Sequence, residues 1–223
     1  KIFNEAWGIK IDDFMELLNM NKLGRGLKRD QCKKDRSEFL RFVAETYFKI
    51  NYEIIKKYDS NHMILGVRFI GHAVPQEVLE TIGKYVDIVS YNIYDPIAPL
   101  EWLEESHKFH HKPILISEFS FKAKDSGLPN TLGPGPTLHT QKDRALWYER
   151  YIIHCLSSPI VIGQIWYKYA DDPPRTEGEN SNVGLVTYND EPYEDLLKKV
   201  KEVNHKATNA FIEVGGLQRR ASQ

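Results

Sequence analysis

The chain has 223 residues, 41% hydrophobic and 27% charged. That length supports one sizeable core, so a single domain over 1–223 is expected. Lys+Arg 30 against Asp+Glu 31 leaves a net charge of -1, which gives no electrostatic case for nucleic acid or an acidic membrane surface as a partner. No apolar run approaches the roughly 20 residues of a membrane span. Cys32 and Cys155 are the only cysteines, and so distant a pair neither requires nor excludes a disulfide. The cysteines do not reveal the compartment, which stays open, with a secreted or periplasmic setting expected over a cytoplasmic one.

In chain order, "KIF" (1–3) reads as the tail of a strand and "IDDFMELLNMN" (11–21) as a helix. "KLGRGLKRDQCKKDR" (22–36) is basic and reads as a solvated loop. "SEFLRFVAETYFKINYEIIKKY" (37–58) places Phe39, Phe42, Val43, Tyr47, Ile50 and Ile54 at helical spacing, with Ser37 as N-cap. "HMILGVRF" (62–69), "VDIVSYNIY" (86–94), "KPILISEF" (112–119) and "PIVIGQIWYKY" (159–169) are short, apolar and β-branched, as buried strands are. Between and after them, 75–85, 98–109, 140–158 and 191–208 read as helices, the first opened by Pro75.

Strands alternating with helices mean βαβ units and a parallel sheet, hence an α/β fold. Such folds place their sites at the C-terminal ends of the strands. Four strands and the tail of a fifth cannot close an eight-stranded barrel, which takes ~250 residues. The sheet is therefore open, or the chain is the second part of a longer protein.

Glu118 closes the apolar run "PILIS". An ionised carboxylate at the end of a buried strand is costly without partners. Chemistry or an ion pair, with Arg68 as the obvious cation, would account for it. Glu5, in "FNEAWG" (3–8), is the second strand-end carboxylate. Two carboxylates facing each other are what glycoside hydrolysis needs, one protonating the leaving oxygen and one attacking the sugar or activating water. "YNIYD" (91–95) adds Tyr91, Asn92 and Tyr94 at another strand end, either tyrosine able to donate to a carboxylate. Trp166 offers an apolar platform for a sugar or a core side chain.

"NEAWG", "ILGVRF", "DIVSYNIYD", "KPILISEFSFKAKDSGLPNT", "PIVIGQIWYKYADDP" and "EGENSNVGLV" together resemble the C-terminal portion of clan A glycoside hydrolases. Within that clan the resemblance is to the agarase-like enzymes related to glycoside hydrolase family 50, from Asn4 to about Asn204. It implies a parallel (β/α) barrel of TIM type, with this chain supplying roughly strands 4/5 to 8. It implies retaining hydrolysis of a galactan-type (agarose-like) carbohydrate, without cofactor or metal. Glu5 would be the general acid/base and Glu118 the nucleophile. Asn4, Arg68, Tyr91, Asn92, Tyr94 and Trp166 would bind substrate or hold the nucleophile. An upstream half-barrel is the partner this implies. The alternative is a catalytically inactive carbohydrate-binding half-barrel.

Other patterns read more plainly. His107, His110 and His111 precede a strand, at the face where residues serve stability. "GPGP" (133–136) is a rigid turn rather than a phosphate loop. "DD" (171–172) and "EGEN" (177–180) suit hydroxyl recognition or solvation better than calcium. No Gly-x-Ser-x-Gly elbow supports an esterase.

Overall fold

The computed structural model describes residues 1–174 and 178–221, with the side chains of 208 and 210–221 outside that description. Four parallel strands form the main sheet: β1 (Arg68–Ile70), β2 (Val89–Asn92), β3 (Ile114–Phe119) and β6 (Val161–Trp166), in the order β1-β2-β3-β6. Helices α3 (Gln76–Ile82), α4 (Leu100–His110) and α5 (Gln141–Leu156) link them, and α6 (Glu194–Ala221) follows. A two-stranded parallel pair, β4 (Lys122–Ala123) with β5 (Thr137–Leu138), is an addition that the sequence pattern did not reveal.

The helices cover one face of the sheet. Phe48 from α2 (Arg29–Tyr58), Ile82, Leu103, Tyr151 and Leu196 pack there with Val89, Tyr91, Ile114, Ile116 and Phe119 of the strands. Phe119 stacks on Tyr151 at 4.5 Å between ring centroids and meets Trp166 edge-on at 5.3 Å. Such pairs contribute about 0.5–1.5 kcal/mol each beyond the area they bury. The opposite face carries the exposed side chains of Ile70, Ile162 and Ile165. Among the described residues β1 and β6 are the unpaired edges, so the sheet is open.

Four expectations need correction. "KIF" is not a strand: Ile2–Trp7 is a helical turn, α1, ended by Gly8 at φ 66. Its strand reading needed a neighbouring strand, and none among the described residues pairs with it. The basic run is not a loop throughout, because α2 begins at Arg29 rather than Ser37. Lys, Arg and Gln are good helix formers, and Cys32 packs with Ala6 and Trp7 in a small second cluster. Ser37 instead donates to Glu77 of α3. The strand expected over 62–69 pairs only from Arg68, because Gly66 sits at φ 69 and breaks the extended run. The 11–21 helix shrinks to a 3-10 segment, Phe14–Asn19, capped by Asp13. Both cysteines are buried and free.

Candidate active site

Glu118 lies next to the end of β3, and its direction depends on a local irregularity. Strict alternation from the buried Ile114 and Ile116 would send Glu118 into the helix-facing core. The register instead shifts: Tyr91 pairs with Ile116 but Asn92 with Glu118, and Ile116 to Phe119 spans only Gln164 to Trp166 on β6. One extra residue in β3 makes a bulge, a device that re-aims side chains beside active sites. Phe119 returns to the core and Glu118 faces the open side of the sheet.

Two groups hold its carboxylate. Arg68 Nη1 on β1 is 2.7 Å from Oε1, and the Tyr94 hydroxyl donates to Oε2. The Glu118 side chain is only 12% exposed while Arg68 is 61% exposed. The pair thus sits at the wall of a cleft, not inside the protein. Burial first, then the Glu118 carboxylate, push the Tyr94 phenol far above its usual range. It is therefore a fixed donor at any working pH. Asn92, beside Glu118 in register, accepts a 2.8 Å hydrogen bond from Ser117 Oγ.

The cleft has a volume of about 500 Å³ and is lined by Arg68, Ile70, Asn92, Tyr94, Glu118 and Tyr167 from the strand ends, with Gly133, Pro134 and Glu179 from two loops. Tyr167 donates to Glu179 Oε2 at 3.1 Å, and its ring lies 6.1 Å from that of Tyr94. Burial, then Glu179, push its phenol up to about 12. The two loops are bound to each other. Asn180 Oδ1 accepts from the backbone N–H of Thr131 and Leu132, and Asn130 Oδ1 accepts from that of Asn182. Gly135, at φ 84, lets the turn approach the Ser120 carbonyl, where a Cβ would come within 2.2 Å.

The structure brings Arg68, Asn92, Tyr94 and Glu118 together. It does not bring the other expected site residues to them. Tyr91 is fully buried on the helix side, its hydroxyl 2.8 Å from Ser106 Oγ and its phenol pushed up to about 12 by burial. Trp166 packs on Phe119, Phe121 and Tyr148 and donates to the Val183 carbonyl at 2.8 Å. The aromatic in the cleft is its neighbour Tyr167, one step along the strand and so on the other face. Asn4 and Glu5 belong to α1. Asn4 donates to the Ile11 carbonyl, and Glu5 pairs with Lys28 at 3.5 Å with half its side chain exposed.

Sequence reasoning missed Tyr167 and did not place Glu179 at the site. Strand parity around Trp166 could have found the first. The second depends on a loop whose position no periodicity reports, and Glu177 of the same acidic run lies outside the described residues. The three histidines lie around the C-terminal end of α4, where His107 bonds the Lys112 carbonyl and His110 accepts from the Lys112 N–H.

This chain is similar to β-agarases. Beta-agarase B of Vibrio sp. (strain JT0107) is 32% identical over 206 residues, which is 90% of this chain and 21% of that protein. Beta-agarase A of the same organism is 34% identical over 173 residues, 72% of this chain and 17% of that protein. A solved exo-beta-agarase superposes with a TM-score of 0.80 at 32% identity, over 93% of this chain and 28% of that one. The chain thus spans about a fifth of the length of the curated relatives it matches. No family model matches it.

Proposed function

We propose that this chain carries the nucleophile-bearing part of a retaining glycoside hydrolase of the family 50 type, acting on an agarose-type galactan. The observation that carries the reading is Glu118, aimed by a β-bulge into an open cleft and gripped by Arg68 and Tyr94. A nucleophilic carboxylate must be fixed in direction, and a guanidinium with a phenol donor fixes it. Asn92 and Tyr167 would hydrogen-bond sugar hydroxyls beside it. The likeness to β-agarases supports the galactan.

In this reading the open sheet is the later half of a (β/α)8 barrel within one domain. The free edges of β1 and β6 and the apolar side chains on the cleft face are what a completing half would cover. The partner is carbohydrate together with that half. The Asn4-Glu5 pair is assigned the sugar contact and the general acid/base. This requires α1 to unwind into an extended segment beside the free edge of β1. The two carboxyl groups would then stand ~5–5.5 Å apart, the separation of retaining enzymes.

The second reading, carbohydrate binding without catalysis, is favoured by one observation: Glu5 pairs with Lys28 and does not line the cleft. Hydrolysis of a panel of galactans and aryl glycosides, with Glu118→Gln as control, separates the two. Turnover abolished by the substitution, with the product released in the β configuration by proton NMR, supports retention by Glu118. Galactan binding without turnover supports the second reading. Turnover that survives Glu118→Gln would sink the proposed nucleophile.

A further inference from the structure

The bulge that aims Glu118 adds one residue to β3, and that residue is Ser117. Tyr91 pairs with Ile116 and Asn92 with Glu118, so Ser117 has no register partner on β2. Ser117 is buried, and its hydroxyl donates to Asn92 Oδ1 at 2.8 Å. Asn92 stands opposite Glu118 in register and lines the same cleft. One inserted residue thus does two things: it turns the carboxylate outward and sets a hydroxyl against the neighbouring amide.

A carboxamide keeps its outline when turned end for end, so its partners decide which end faces outward. Ser117 decides it here. Among the described residues Asn92 Oδ1 is the one acceptor of the Ser117 hydroxyl proton. The reversed amide would leave that proton buried without an acceptor, which is costly. It would also turn the Asn92 carbonyl oxygen toward the Glu118 carboxylate, acceptor against acceptor. In the observed orientation Nδ2 donates to no described residue. No buried side-chain nitrogen or oxygen among the described residues lacks a partner. Nδ2 therefore reaches the open cleft, with its N–H donors beside Glu118.

We propose that Ser117 is a positioning residue whose hydroxyl holds the Asn92 amide so that Nδ2 donates to a sugar oxygen bound beside Glu118. The inference rests on the glycosidase reading of the cleft. A donor oriented in advance loses little freedom when the ligand arrives. The test is a double-mutant cycle on Ser117 and Asn92. It is read by calorimetric titration with an uncleavable S-linked galactan oligosaccharide, with near-UV circular dichroism as the check on folding. Asn92→Ala removes the donor and weakens binding about tenfold, the size of one hydrogen bond. Ser117→Ala frees the amide and loses most of that factor. The double substitution loses no more than Asn92→Ala alone, because Ser117 acts through Asn92. Ser117→Thr, which keeps the hydroxyl, retains most of the affinity. In the parent chain the Asn92 side-chain NH2 resonance, assigned by its loss in Asn92→Ala, shifts as the ligand is added. Losses that multiply in the double variant overturn the positioning role, as does parent affinity in Ser117→Ala. An Asn92 resonance that ignores a bound ligand overturns the donor role. Each of these results leaves the glycosidase reading standing. A parent chain that binds no galactan overturns both.

Discussion

Arg68 and Glu118 meet across two strands, guanidinium to carboxylate at 2.7 Å, although β2 lies between β1 and β3 in the sheet. The contact spans one full strand position and exists only because the bulge in β3 turns Glu118 toward the cleft. With Arg68 mostly in solvent, screening holds the pair's contribution to stability to about 1 kcal/mol. Its consequence is directional: it fixes where the carboxylate points. Arg68→Leu should therefore lower galactan turnover by about tenfold or more while moving the melting temperature by only a few degrees. A large loss of stability with turnover intact would show that the pair serves the fold. Arg68→Lys should recover only part of the rate, since a single ammonium does not reproduce the planar guanidinium.

Trp166 and Tyr167 are neighbours with opposite duties. Trp166→Ala removes a ring from the aromatic cluster around Phe119 and should cost about 3–5 kcal/mol in urea unfolding. Tyr167→Phe removes one hydroxyl from the cleft wall. It should leave the unfolding midpoint within about 1 kcal/mol and weaken galactan binding. The reverse pattern would restore Trp166 as the sugar platform.

His110 makes stability sensitive to acid. It is buried, and burial first, then His107, His111 and Lys112 nearby, push its pKa down to about 4. The unfolded chain takes up this proton near pH ~6.5. Above that value both states are neutral and nothing is lost. Between there and about 4 the unfolded state binds a proton that the folded state refuses, so stability falls as pH falls. The loss reaches about 3 kcal/mol at the lower end. Urea midpoints at pH 7.5 and pH 5 should show the fall in the parent chain and a flatter profile in His110→Gln. Parallel profiles would exclude His110 as the source.

Arg144 is fully buried and braces the loop that carries Glu179. It donates to the carbonyls of Phe121 and Gly184 and to Gln141 Oε1, and burial lowers its pKa to about 10 despite Asp171 nearby. Asp171 in turn accepts from the Gly184 N–H and the Tyr193 hydroxyl. Arg144→Leu strands three acceptors and removes the cation near the buried Asp171, and should cost about 3–5 kcal/mol. Arg144→Lys should fare little better, because one ammonium lacks the fork that reaches three acceptors. A midpoint shift below about 1 kcal/mol in Arg144→Leu would contradict this bracing role.

The sequence alone determined the α/β class, the four parallel strands with their helices, and Glu118 with Arg68 as its cation. Short β-branched runs and helical spacing are local signals, and an acid ending a buried strand stands out by its desolvation cost. Which of Tyr91 and Tyr94 reaches Glu118, and which of Trp166 and Tyr167 enters the cleft, were decided by the tertiary structure. Strand parity hangs on one extra residue in β3, and composition carries no mark of a bulge. Glu179 reaches the cleft through hydrogen bonds between loops some 49 residues apart, a pairing that only the folded chain makes. Glu5 shows the limit most plainly. An Asn-Glu pair ends a strand only when a neighbouring strand supplies its hydrogen bonds, and where none does, the same residues close a helical turn around their own carbonyls.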